Sequence, residues 1–268
     1  MNPDSHRNAT LTLGALALCA VAAPLIARDP IAKGIVIQLP NDDRALIEQY
    51  LGQGVVGDAI EALPIDDPTS YIDVTHDQTE RVKRVSGDDA GTISNVEISV
   101  LDRPGRVAWK LRTPNEVLFG ELDGSGSLVQ HSSQDLTQSV LSRYSPPEPM
   151  LTKGMAPGAS VKSDIQVAVY DLSNTSQETH SGQLALTYTY VGAYKVTVPA
   201  GTYDTVLFKW DYDGKVGPAS VKDVQYWFYA KGVGPVAMIN RQDVSAFLIY
   251  NKDTKGGDVL LKHVDDGK

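Results

Sequence analysis

The chain has 268 residues, with 24 lysines and arginines against 33 aspartates and glutamates, and a formal net charge of −9. That length can bury a sizeable core, as one large β domain or two small ones. The acidic balance repels phosphate backbones and so argues against a nucleic-acid partner; it also argues against electrostatic adhesion to anionic lipid, while leaving apolar contact with lipid open.

The chain starts "MNPDSHRNATLTLGALALCAVAAPLIARDP", a short polar head carrying Arg7 and then an apolar run from Ala9 to Ala27. This pattern predicts a secretory signal peptide, residues 1–27, with cleavage after Ala22 or Ala27. An uncleaved anchor is the alternative, since the run is about as long as a short spanning helix. Only Asp4 and Arg7 leave with the signal, so the net charge is unchanged. Cys19 is the one cysteine. Leu18 stands before it where lipidation wants a small residue. A mature chain without cysteine suits an oxidising compartment and excludes disulfides, thiol catalysis and Cys-ligated zinc. The expected location is the periplasm, with membrane association if the N-terminus stays uncut. No second long apolar run follows, which predicts that the rest is soluble.

Residues 28–67 read as an extended piece followed by a helix. "NDDRALIEQYLGQG" offers Asn41 or Asp42 as a cap, acids in the first turn, and Leu46, Ile47, Tyr50 and Leu51 on one face, with an end near Gly52 or Gly54. From about Ser70 the apolar period becomes two: Val96, Ile98 and Val100, then Val107, Trp109 and Leu111, then Ile165, Val167 and Val169. "EVLFGELDGSGSLVQHSS" is a hairpin signal. "SPPEPMLTKGMAPGAS" (145–160) is dense in proline and glycine and reads as a loop, dividing a β-clam domain (68–264) into halves of about 68–144 and 159–264. The fold class is therefore all-β and mainly antiparallel, a curved open barrel or β-clam with one short N-terminal amphipathic helix.

"VTVPAGTYDTVLFKWDYDG" (196–214) raises two questions. Pro199 and Gly201 suit the corners of a type I turn, which folds the chain back on itself. A phosphate cradle would want more glycines and a following helix. "DYDG" begins like a calcium loop, but Lys-Val-Gly-Pro follows where oxygen ligands are needed. Both are read as sheet corners, and neither a metal nor another cofactor is expected.

"YVGAYKVTVPAGTYDTVLFKW" and "YWFYAKGVGPVAMI" resemble a family of uncharacterised bacterial envelope proteins with a Val-Pro-Ala-Gly-Thr-aromatic turn, a Tyr-Trp strand and a Gly-Val-Gly turn. Here these are Val198 to Tyr203, Tyr226-Trp227 and Gly232-Val233-Gly234. "PGASVKSDIQVAVYD" fits the same pattern. The resemblance covers the C-terminal part of the chain, and its motifs are turns and strands. It implies a β-rich clam like the open, lipid-accommodating half-barrels of the periplasm, and brings no activity with it.

The histidines His76, His131, His180 and His263 show no ligand spacing and read as surface or turn residues. There is no nucleophile elbow, and adjacent acids such as Asp42-Asp43, Asp66-Asp67 and Asp88-Asp89 read as caps and solvated turns. In "QYWFYA" Tyr226 and Phe228 point one way, Trp227 and Tyr229 the other, so both faces of this strand need cover. Phe208 and Trp210 form a second aromatic row, Tyr188 and Tyr190 a third. One reading is an aromatic core with its outer face covered by the helix or the proline loop; the other is a concave apolar pocket with phenol hydroxyls for orientation. The expected function is an exported, non-enzymatic protein that binds a hydrophobic or amphiphilic envelope ligand through Tyr188, Tyr190, Phe208, Trp210, Tyr226, Trp227 and Phe228. The alternatives are a structural or adaptor module with an envelope protein as partner, and an envelope-polymer hydrolase with two converging carboxylates.

Overall fold

The computed structural model describes residues 33–246 and 250–264. The signal segment read from residues 1–27, with Cys19, lies outside the described residues. Short strand β1 (Ile35–Val36) precedes helix α1 (Asn41–Leu51) and β2 (Val56–Ala62); one turn of 3-10 helix (Pro68–Ser70) follows. Twelve strands then run in order: β3 (Gln78–Arg84), β4 (Ile93–Arg103), β5 (Arg106–Arg112), β6 (Glu116–Leu122), β7 (Leu128–Asp135), β8 (Val140–Leu151), β9 (Ser160–Asp171), β10 (Asn174–Val198), β11 (Gly201–Val216), β12 (Ala219–Ala230), β13 (Gly234–Ala246) and β14 (Tyr250–Val264).

Each of the strands from β3 to β14 pairs antiparallel with its sequence neighbours, and β14 pairs back onto β3. The result is a closed up-and-down barrel of 12 strands, closed through main-chain pairing on every side. Where β9 ends, against Thr189, β2 takes its place beside β10 at Ala193 to Val196 and carries β1 on its far side. Outward positions on the wall include Arg81, Lys83, Glu97, Lys110 and Arg112. A barrel that spans lipid carries an apolar band at such positions, whereas β3, β4 and β5 present charge there.

The two faces of β10 to β14 bury different cores. Inward lie Tyr188, Tyr190, Phe208, Trp210, Tyr212 and Tyr229, joined across the barrel by Trp109, Ile98 and Val167. Outward lie Tyr194, Leu207, Tyr226, Phe228 and Ile239, covered by Ile47, Tyr50 and Leu51 of α1. The helix therefore packs on the outside of the wall. Neither Asn41 nor Asp42 caps it: Pro40 flanks its start and makes no side-chain cap bond. Asp43 is turned to the barrel instead, accepting from the Tyr226 hydroxyl at 2.6 Å and from Lys209 Nζ at 2.7 Å. Gly52, at φ +99°, ends the helix as the sequence indicates.

Residues 63–77 plug one end of the barrel. Ile65, Tyr71, Ile72 and Val74 are buried among the inward side chains. Backbone bonds tie the plug to the turns at that end: Ile65 N to Met155 O (3.1 Å), Gly154 N to Ile65 O (2.6 Å) and Gly232 N to Ser70 O (2.8 Å). The Tyr190 hydroxyl adds a bond to Leu63 O at 3.0 Å.

Three local readings change. The prolines at 146, 147 and 149 lie in strand β8, and only residues 152–159 form a loop. The ladder explains how strand tolerates them: β7 pairs Gln130 with Glu148 and then Ser132 with Arg143, while β9 pairs with β8 only as far as Ser145. Pro146 and Pro147 thus sit in a bulge with no ladder partner, where a missing N–H costs nothing. "DYDG" is no corner either. It lies inside β11, and Gly214 is there because a Cβ would collide with the Gln183 carbonyl of β10. The turn comes at Gly217, at φ +56°. Finally, "VGDAIEA" forms β2, upstream of the start of the period-two pattern near Ser70.

Candidate functional site

The inward side chains fall into layers from the plugged end toward the end formed by the β7–β8, β9–β10 and β11–β12 turns. Next to the plug is an aromatic layer. Tyr188 stacks on Phe208 (centroids 5.2 Å apart), Tyr190 stacks on Phe208 (4.8 Å), and Trp227 meets Trp210 (6.1 Å) and Tyr229 (5.9 Å). The polar atoms of this layer are largely spent on backbone. The Tyr188 hydroxyl donates to Met150 O at 3.0 Å and Trp210 Nε1 to Pro149 O at 2.8 Å.

Of the seven aromatic residues singled out from the sequence, this layer brings together Tyr188, Tyr190, Phe208, Trp210 and Trp227. Tyr226 and Phe228 project from the opposite face and lie under α1. Within the layer Tyr188, Tyr190, Phe208 and Trp210 are buried, and Trp227 is half-buried. An inward side chain of a closed barrel has only the lumen to be exposed to. Met238, which pairs across from Trp227 on β13, is half-buried in the same way, as are Gln225 and Asn240 one step further along. A barrel of about eight strands is filled by its own side chains. This wider one is filled at the plugged end and leaves these residues open toward the other.

The layer beyond the aromatics is acidic. Glu148 on β8 accepts a hydrogen bond from the Tyr212 hydroxyl of β11. Asp223 on β12 is paired in register with Tyr212 and accepts from Gln225 Nε2 at 2.6 Å. Tyr144 shares a 2.7 Å bond with Ser133 on the β7–β8 side. Burial lifts the Glu148 carboxyl to about 7, against the lowering effect of the Tyr212 bond and with help from the charges of Asp223 and Glu116. Burial lifts Asp223 to about 6, the Gln225 bond opposing it and the charges of Asp211 and Asp243 adding to it. The Tyr212 and Tyr144 hydroxyls are pushed up by burial first and then by the charge of Glu148.

Two polar atoms of this layer, Asp223 Oδ1 and Asn240 Oδ1, are buried without a hydrogen-bond partner, as are the Tyr229 hydroxyl and Trp109 Nε1 elsewhere on the inward face. Each such atom costs about 1–3 kcal/mol if nothing meets it. On the inward face Arg84 of β3 lies 3.3 Å from Asp258 of β14. The lumen is thus an electronegative cup on an aromatic floor. Two shallow depressions lie elsewhere. One, of about 330 Å³, runs beside Asp43 and Lys209 under the start of α1; the other, of about 450 Å³, lies between Phe119, His131 and Arg143.

The sequence reading did not single out Glu148, Asp223 or Asn240. Glu148 sits among prolines that signal a loop. Asp223 carried a usable signal, since it shares a strand face with Gln225 and Trp227 in "DVQYW", and an acid on the face of a buried tryptophan is out of place in a simple core.

No family model matches this chain, and no curated protein matches it. Two solved structures are similar. A candidate exported protein with a YmcC-like fold from Bacteroides fragilis is 14% identical with a TM-score of 0.41, covering 76% of this chain and 100% of its own. A candidate lipoprotein from Parabacteroides distasonis is 13% identical with a TM-score of 0.38, again covering 76% and 100%. Scores this low carry no argument about this chain.

Proposed function

We propose that the protein is an exported, non-enzymatic binding protein that takes an amphiphilic small molecule into the open end of its barrel. Export rests on the N-terminal sequence. The observation that carries the binding reading is the half-burial of Trp227 and Met238 on the inward face, next to buried polar atoms that lack partners. An apolar chain laid over Trp227 and Met238 gains about 0.8 kcal/mol per buried methylene. Its polar head then reaches the Asp223 and Asn240 level.

Tryptophan emission tests this. Trp109 and Trp210 are each 2% exposed, so Trp227 is the reporter among the three tryptophans. Titration with a detergent monomer or a lipid extract is expected to shift the emission to the blue and saturate, and Trp227→Phe is expected to remove the shift. No saturable change in the parent protein sinks the reading. A bound lipid recovered cleaved would move it to the hydrolase reading, with Glu148 and Asp223 as the acid pair.

A second reading, the adaptor module, has its own observation. Ile35 and Val36 of β1 and Leu63 after β2 are 48%, 57% and 50% exposed and lie together at a sheet edge that no other described strand pairs with. Such an edge suits strand addition by a partner.

A further inference from the structure

The lumen reading can be carried further, to the chemistry of the head group, and this step rests on that reading. Asp223 and Asn240 stand on adjacent strands, β12 and β13, and both face inward. In the ladder Asp223 pairs with Gln242 and Asn240 pairs with Gln225, so the two are diagonal neighbours. Diagonal neighbours on one face lie roughly 7–8 Å apart at Cα, close enough for a single small group to touch both side chains. Asp223 is 5% exposed, and its Oδ2 is held by Gln225, which fixes the carboxylate and leaves Oδ1 unpartnered. Asn240 likewise leaves Oδ1 unpartnered.

The two unpartnered atoms are oxygens of the same kind, one from a carboxylate and one from a side-chain carbonyl. Two acceptors side by side reject a carboxylate or phosphate and want a donor. The surroundings favour a positive charge. Glu148 lies within electrostatic reach of Asp223, and Arg84 is already matched by Asp258. Trp227 is two residues from Gln225 on the same face and offers a ring to a cation.

We propose that the amphiphile taken by this lumen carries a primary or secondary ammonium head, whose N–H groups are received by Asp223 Oδ1 and Asn240 Oδ1 beside Trp227. N–H donation, and not charge alone, is what these two acceptors select.

The test is a binding series at fixed chain length, read by tryptophan emission and calorimetry below micelle formation: decylammonium, decyltrimethylammonium, decyl glucoside and decyl sulfate. Decylammonium is expected to bind tighter than the glucoside and the trimethylammonium compound by about tenfold or more, the worth of a charge-assisted hydrogen bond. Decyl sulfate is expected to bind least. Asp223→Asn, with its fold checked by circular dichroism, is expected to remove the decylammonium preference, read as the ratio of decylammonium to glucoside affinity on the same variant; Asn240→Ala is the second variant should the first fail to fold. Asp213→Asn, the same charge change on the outer face, is expected to keep the preference. Equal binding of all four compounds, or a preference that survives in both lumen variants, overturns the head-group assignment and leaves the lumen reading standing. Binding of none of them overturns both.

Discussion

Glu148 is a carboxylate that folding makes a weaker acid, which fixes the direction in which stability changes with pH. Its folded value of about 7 lies above the ordinary 4.5, so between those two values the folded chain holds a proton that the unfolded chain has released. The stability this gives is full below pH 4.5 and is lost as pH rises through 7. Asp223 acts the same way between 3.8 and about 6. At about 1.4 kcal/mol per pH unit, Glu148 alone costs on the order of 3 kcal/mol over its interval. His131 opposes this below its ordinary value, because burial lowers it first and the Arg103 and Arg106 charges add to that. A comparison of variants isolates the carboxyl: the Tm of the parent is expected to fall from pH 5 to pH 8, and Glu148→Gln to flatten the fall. An unchanged slope in the variant would remove Glu148 from the account. None of this was legible at residue level, because the direction of Glu148 depends on the β8 bulge, and a bulge is set by pairing partners distant in sequence.

Among the elements, the hairpin β6–β7, the helix α1 and the alternation of β11 and β12 were all readable. Local chemistry decides each of them: a Gly-Ser-Gly turn, an apolar helix face ending at a glycine, and period-two aromatics. The elements that were not readable depend on long-range pairing. Strand β2 exists because β10 outruns β9, and β10 runs unbroken through a register shift between Tyr190 and Gly192. Gly120 of β6 shows how tightly such pairing constrains composition. Trp109 of β5 lies over it, and a Cβ there would meet both the indole ring and the Val129 carbonyl of β7. Gly120→Ala is expected to cost about 1–3 kcal/mol, as overpacking does. Thermal unfolding and the near-ultraviolet signal of Trp109 would report it; an unchanged Tm would show that the β5–β6 wall can yield.

For the whole molecule, the aromatic sequence pattern carried two meanings, and the barrel separates them by face. Tyr226 and Phe228 fix the helix to the outer wall, while Tyr188, Tyr190, Phe208 and Trp210 build the floor over the plug. Trp227 and Met238 stay half-buried on the inward face, and the acidic layer lies beyond them; these are the groups the proposed ligand would meet. Closure of the barrel, through β14 on β3, could not be read from any one segment, because it joins strands at opposite ends of the domain. The most direct test of the central claim is native mass spectrometry of the protein purified from cells that export it, with solvent extraction of whatever it carries. The account predicts a single reproducible adduct, an amphiphile bound one to one and lost from Trp227→Ala. A clean mass of the bare chain that stays unchanged on addition of lipid extract would contradict it.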